Sequence, residues 1–440
     1  MMNPAGQFGL ATAFAGLLAM AAPALAAEGS AEDMARSVLQ TAAEVVCPEG
    51  ILDPAGLGES LPGALSGFVL ADVQDRGRGD DWARREMRLE NPDADQVLLI
   101  SASGSAAGLR RVIFEVHGLT TGRPIMMALA GGDCGVRHGR AIRYASDGMA
   151  EELVHFDGDL ESVQTVEPLN PPVPEGRDPG GVTVAHIDSG VNYLLPEIAA
   201  RLARDAEGNA LGRDLWENDD RPFDGDQGRS PFFPIRHGTP VVSLLVKEAP
   251  EIRLVPIRFP RPDMTRMAEA VELAAAAGTR VVAMPMGSRR QEDWLAFAEA
   301  AAAHPEMLFI VSAGNDGRDI DAAPLYPASL PLENMIVVTS ADAFGRLASG
   351  SNWGATNVDL MVPAENLEVI DYRGARGTAS GSSYAVPRVA ALAARLLREN
   401  PDWTTSDLKQ AIFARAVPPL ERSAPRLAIG WIPNPTDDDG

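Results

Sequence analysis

A chain of 440 residues with 45% hydrophobic content is long enough for two or three domains and too apolar to be globally disordered. Lys+Arg 38 against Asp+Glu 61 gives a net charge of −23, which repels phosphate backbones and anionic lipid and so argues against nucleic acid and membrane surfaces as partners. The two cysteines, Cys47 and Cys134, form no CxxC motif, and no Cys/His cluster has zinc spacing.

From Phe8 to Ala22 the chain is small, apolar and uncharged, and Ala24-Leu25-Ala26 fits a small-x-small cleavage site. Residues 1–26 therefore read as a signal peptide, although no Lys or Arg precedes the apolar run. An uncleaved anchor is the alternative. No later segment is apolar for long enough to cross a bilayer, so the expected product is exported, periplasmic or secreted, without a stable membrane span. In an oxidising compartment Cys47 and Cys134 are expected to pair; two buried thiols are the other reading.

Residues 27–166 read as a small α+β domain. Ala31–Val46 has a helical pattern, and strands are expected at Gln96–Ser101, Arg111–His117, Pro124–Ala130, Arg140–Ala145 and Glu152–Phe156. Asp80-Asp81 and the nearby arginines read as a solvated loop. His117, His138 and His155 are scattered and form no constellation. Residues 167–181 are rich in proline, which blocks helix and central strand, and read as a linker.

Beyond Gly181 the pattern changes. Strands are expected at Val182–Ile187, Ile252–Phe259, Arg280–Met286, Met307–Ser312 and Met335–Thr339, with helices at Val241–Val246, Met264–Ala277 and Trp294–Ala303. Such alternation argues a parallel sheet with helices on both faces, in which chemistry gathers at the carboxyl ends of the strands. Gly381-Ser382-Ser383-Tyr384-Ala385-Val386-Pro387 reads as a small-residue turn opening a helix, with Pro387 in its first turn. Residues 434–440 form an acidic tail.

Four polar residues stand at suggestive places. Asp188 follows a buried strand, His237 precedes an apolar helix, Asn315 follows another strand, and Ser383 opens the last helical block. Acyl transfer needs these types: a serine nucleophile, an imidazole base, a carboxylate that orients the imidazole, and an amide that holds an oxyanion. The order Asp, His, Ser excludes an α/β-hydrolase, which needs a histidine after the nucleophile; the last histidine is His304.

On these residues the chain resembles the subtilisin-like serine proteases (subtilases). Asp188-Ser189-Gly190 is similar to the family's catalytic aspartate segment, His237-Gly238-Thr239 to its histidine segment, and Ala313-Gly314-Asn315 to its oxyanion segment. The stretch 381–387 is similar to its Gly-Thr-Ser-Met-Ala-x-Pro nucleophile segment, which makes Ser383 rather than Ser380 or Ser382 the nucleophile. The resemblance implies an α/β fold for 182–433, with a mostly parallel sheet, preceded by the smaller α+β domain. It also implies a serine endopeptidase with catalytic Asp188, His237 and Ser383, and Asn315 in the oxyanion hole. Met284, Pro285, Met286, Gly287, Ala313 and Gly314 are implied to bind a protein or peptide substrate. The competing reading is a catalytically silent peptide-binding or assembly module on the same fold.

Departures from the family fall outside the triad. Pro285 lies where a strand is expected to pair with peptide, Arg388 stands where many members have His, and Ala364 replaces a usual Gly. The chemistry requires no cofactor. The acidic stretch Asp214–Asp226 has oxygen ligands of the kind calcium takes, and the family's frequent use of calcium makes a structural ion one reading; a solvated loop without EF-hand spacing is the other. The domain 27–166 reads either as a propeptide or as a retained accessory domain.

Overall fold

A computed structural model of the chain describes residues 22–57, 61–78, 81–105, 107–418 and 426–437, so most of the signal-peptide reading lies outside the described residues. The chain divides into two compact units, Met1–Leu169 and Asn170–Gly440.

In the first unit helix α1 (Ala22–Thr41) continues into a π-helical stretch, Ala42–Gly50. An eight-stranded antiparallel meander follows: β1 (Val69–Arg78), β2 (Asp81–Asn91), β3 (Gln96–Ser105), β4 (Gly108–Gly118), β5 (Pro124–Gly131), β6 (Val136–Tyr144), β7 (Ala150–Phe156) and β8 (Val163–Pro168). Alternate residues such as Leu98, Ile100 and Ala102 on β3, and Val112, Phe114 and Val116 on β4, meet Ala35, Val38, Leu39, Ala42 and Val46 from the helical segment. Cys47 and Cys134 are joined by a disulfide between the π-helical stretch and the β5–β6 turn.

Two strands here carry little apolar alternation to announce them, β2 showing it only at Met87 and Leu89. Much of β1 is exposed, and it pairs with β2 through opposite charges: Asp75 lies across from Arg85 in register and bonds it at 2.7 Å. Asp81, expected in a loop, is the first residue of β2, and Asp80 lies outside the described residues. Pro168 also ends a strand rather than opening a linker. The proline-rich chain after it is fixed within the second unit. Pro171 O accepts from the Tyr193 hydroxyl (2.6 Å), Pro174 O from Arg204 (2.7 Å), and Asp178 pairs with Arg253 (2.6 Å).

The second unit is built on β9 (Val182–Asp188), α2 (Pro196–Ala199), β10 (Arg213–Asp214), α3 (Gly238–Glu248), β11 (Ile252–Arg258), α4 (Met267–Ala276), β12 (Val281–Met284) and α5 (Leu295–Ala303). It continues with β13 (Leu308–Ser312), β14 (Met335–Ala341), β15 (Leu360–Pro363), the hairpin β16 (Leu367–Ile370) and β17 (Arg376–Ala379), α6 (Ser382–Glu399), α7 (Thr405–Phe413) and β18 (Gly430–Trp431). The sheet order is β10-β11-β9-β12-β13-β14-β15-β18, parallel throughout.

Alternation along each strand feeds two cores. Val184, Leu254, Val281, Ile310 and Val338 pack with α3, α6 and α7. Ala185, Val255, Val282, Phe309 and Val337 pack with α4 and α5 on the other face. The mixed α/β architecture expected from the alternation is the one observed. Helix α6 is buried along most of its length, and Arg388 is drawn inside to pair with Glu248 at 2.9 Å and to donate to Pro363 O at 2.6 Å. Pro387 sits at the sixth position of α6, one turn later than expected. Lacking an N–H, it leaves the carbonyl of Ser383 without its helical donor. Among the described residues no helix is long and apolar enough to cross a membrane.

Candidate active site

Asp188 is the last residue of β9, and the chain must turn sharply beyond it. Gly190 does so at φ +95, where a Cβ would press on the carbonyls of Pro222 and Phe223 at 2.6 and 2.5 Å. A Cβ on Gly238 would collide with the Gly190 carbonyl, so this pair of glycines lets the start of α3 approach the end of β9. His237 precedes α3 and is carried onto Asp188, with Nδ1 2.8 Å from both carboxylate oxygens. The Ser189 N–H donates to Asp188 Oδ1 at 2.6 Å.

A second network holds this junction. Ser189 Oγ donates to Asp224 Oδ1 (2.7 Å) and accepts from the N–H groups of His237 (3.2 Å) and Gly238 (2.9 Å). Asp224 Oδ2 accepts from the Thr239 N–H at 2.8 Å. A carboxylate at the N-terminus of α3 satisfies first-turn donors and complements the helix dipole. The sequence reading missed both supports. Ser189 stood inside a quoted motif, whereas Asp224 lies among acidic residues with nothing local to single it out.

Burial by itself would raise the Asp188 carboxyl, but the charge and hydrogen bond of His237 overcome it and leave the group below its ordinary range. For His237, burial works toward a lower pKa. The charge and hydrogen bond of Asp188, with Asp224 and Asp226 behind them, prevail and push it up to about 9. Asp224 is raised by its complete burial, against the pull of its hydrogen bonds to Ser189 and Thr239.

Ser383 is the second residue of α6, next to a turn made by Gly381 at φ +123. Its hydroxyl donates to Pro285 O at 3.4 Å and is not hydrogen-bonded to His237. Its N–H lies in the first helical turn, where no carbonyl of the helix can take it. Ser382 is fully buried and fixes its neighbours: its N–H and Oγ meet Asn315 Oδ1 at 2.9 and 3.0 Å, and its Oγ meets Ser312 Oγ at 2.7 Å. With Oδ1 engaged, the Asn315 amide has its Nδ2 donors to offer.

Asp188, His237, Ser383 and Asn315 line one cleft of about 470 Å³, together with Pro285, Met286, Gly287 and Gly314. Met284 and Ala313 do not. Both side chains are fully buried in the core under α4 and α5, and the Ala313 N–H and carbonyl are taken by Val338 and Asn352. The register explains this: Met284 pairs with Val311 inside the sheet, and the chain reaches the cleft only at Pro285. Ser380 accepts from the Asn366 N–H, and Asp316 pairs with Arg289.

The acidic stretch does not converge on an ion site. Asp214 pairs with Arg258 at 2.7 Å, Asp219 accepts from Asn170 at 2.6 Å, Asp224 serves Ser189 and Thr239, and Asp226 faces Arg261. Among the described residues no three His, Cys, Asp or Glu side chains gather as a metal would need. These four carboxylates are turned to the protein's own cations, amide and N–H groups.

A model of the subtilase family matches residues 180–431. A thermophilic serine proteinase from Bacillus sp. (strain AK1) is 28% identical over 246 residues, covering 53% of this chain and 55% of that protein. The alkaline serine exoprotease A of Vibrio alginolyticus is 29% identical over 249 residues, covering 54% of this chain and 42% of that one. The chain thus spans about half the length of the curated relatives it matches. A solved cold-adapted subtilisin-like serine proteinase aligns with 25% identity and a TM-score of 0.46, covering 60% of this chain and 93% of that one.

Proposed function

The chain belongs to the subtilase family, and from that premise we propose that it is an exported serine endopeptidase that cuts protein or peptide substrates through an acyl-enzyme. The observation that carries this reading is the imidazole of His237, clamped at Nδ1 by Asp188 with Nε2 left over, in a cleft that also holds the Ser383 hydroxyl.

The chemistry follows from the geometry. Asp188 keeps the proton of neutral His237 on Nδ1, so Nε2 is the base. The Ser383 hydroxyl turns from Pro285 O to Nε2 and gives up its proton as Oγ attacks the substrate carbonyl. The oxyanion that forms is met by the Ser383 N–H and Asn315 Nδ2. Collapse breaks the C–N bond, and His237 returns its proton to the leaving amine. Water then attacks the acyl-enzyme with His237 again as base, which releases the carboxyl product and restores Ser383.

Two further parts belong to this reading. The disulfide in the first unit suits an oxidising compartment and supports export. Residues 27–166 act as a propeptide-like domain removed by a cut in 167–180, the stretch that mass spectrometry of the purified protein would examine. An intact, active full-length chain would show a retained domain instead.

A fluorophosphonate probe tests the enzyme assignment. Labelling of the processed protein that is lost in Ser383→Ala and kept in Ser382→Ala and Ser380→Ala supports it. No labelling of the processed wild-type protein overturns it in favour of a peptide-binding module.

A further inference from the structure

Val184, His186 and Asp188 share one face of β9, so a second imidazole lies one residue pair below the carboxylate. His186 is 1% exposed; neither ring nitrogen makes a well-formed hydrogen bond among the described residues, and the backbone of Gly238 and of Ala283 lies near enough to act on the ring as weaker partners. Its Nε2 stands 3.6 Å from Asp188 Oδ2. On either side in the sheet, β11 and β12 present Pro256 and Ala283 at its register position. A polar ring buried this deeply without a well-formed hydrogen bond carries a desolvation cost that an apolar side chain in its place would not. Packing alone therefore gives no reason for a histidine here.

The carboxylate beside it is unevenly served: among the described residues Asp188 Oδ1 accepts from the Ser189 N–H and faces His237 Nδ1, whereas Oδ2 is hydrogen-bonded by His237 Nδ1 alone. We propose that His186 is a positioning residue for the reaction assigned above to Ser383: its Nε2–H faces Asp188 Oδ2 across 3.6 Å, too far for a hydrogen bond, and adds an electrostatic contact on the less well served oxygen.

A neutral ring is what the proposal requires. Burial drives the pKa of His186 down and prevails over the pull of Asp188 and of the Gly238 and Ala283 backbone, with the nearby His237 adding to the fall. The charged groups on the neighbouring elements are paired elsewhere. Asp224 is tied to Ser189 and Thr239, Gly238 and Thr239 open α3 without a charge, and on α6 the first charged side chain, Arg388, is paired with Glu248. Tyr384 on α6 stays protonated, its pKa pushed up to about 12 by burial. A donor facing Oδ2 offsets part of the carboxylate's charge, so less of it is available to hold a proton on His237. The acid limb of catalysis then lies at lower pH than it would with the donor gone.

The proposal rests on the protease reading, and its test separates the two. Profiles of kcat/KM against pH are compared for the processed wild-type protein, His186→Val and His186→Gln, each normalised by active-site titration. In His186→Val the acid limb is expected to move up by about half to one pH unit, a three- to tenfold loss on that limb, with the plateau within about twofold and Tm not lowered. His186→Gln, which keeps a donor, returns the limb to the wild-type position. A limb that stays put in His186→Val, or that moves equally in both variants, overturns the proposal. Proton NMR of the His237 Nδ1–H needs no turnover: its titration midpoint rises in His186→Val if the proposal holds and is unchanged if it fails. A protein that never labels or turns over sinks the protease reading, while this titration still decides the role of His186.

Discussion

His237 Nδ1 lies equidistant, at 2.8 Å, from the two carboxylate oxygens of Asp188. That symmetry fixes both the ring's orientation and its tautomer, because only a protonated Nδ1 can donate to a carboxylate. Asp188→Asn keeps the shape and can present an N–H instead, which turns the tautomer around. The expected result is a fall in kcat of about 10³–10⁴ with little change in KM, read with a chromogenic peptide on protein whose circular dichroism is unaltered.

The pH dependence follows from the raised pKa of His237. Its neutral form accumulates only as pH climbs toward about 9, so kcat/KM is expected to rise through an acid limb well above an ordinary histidine value. Stability runs the opposite way. A pKa higher in the folded than in the unfolded chain stabilises the fold below about 6.5, and that contribution is lost as pH rises through about 9. The Tm difference between wild type and His237→Gln should therefore shrink across that window in calorimetry.

Asn315 is held by Ser382 and is proposed to act on the oxyanion. Asn315→Ala is expected to lower kcat by about 10²–10³ and leave KM nearly unchanged. Ser382→Ala removes one of the two contacts to Oδ1 and should cost far less. A larger change in KM than in kcat for Asn315→Ala would place the side chain on the substrate rather than on the transition state.

Leu325 narrows the cleft. A Cβ built on Gly314 would lie 2.7 Å from Leu325 Cδ2, and one on Gly287 would lie 3.4 Å from it, so this side chain stands close to both glycines. Leu325→Ala should admit larger side chains next to the cut bond. Digestion of a peptide library by the two forms, read by mass spectrometry, checks this: cut sites shift from small toward bulky residues.

The disulfide closes a loop of 87 residues in sequence separation. Its loss through Cys47→Ser with Cys134→Ser should destabilise the first unit by about 2–4 kcal/mol, seen as a lower transition in denaturant.

How much was legible varies by residue. Asp188, His237, Asn315 and Ser383 each sit in a short motif whose neighbours are fixed by local backbone needs, such as the glycines at 190, 238 and 381. The parallel strands were legible because burial on both faces leaves apolar runs. Strands β1 and β2 were not, since Asp75 and Arg85 pair by charge, which looks like a loop until the partner strand is known. Met284 and Ala313 were misplaced for another reason: proximity to a motif does not say which way a side chain points, and sheet register does. Asp224 and His186 act on neighbours across the fold or across the pleat, where sequence spacing carries little information.

Both sulfur atoms of the protein's cysteines belong to the first unit, which leaves Asn170–Gly440 without a thiol of its own. A reductant can thus open the cross-link of one half of the molecule, and finds no disulfide to open in the other. If the proposed cut in 167–180 is made, no covalent tether joins the units, and the second unit can work where the redox potential changes.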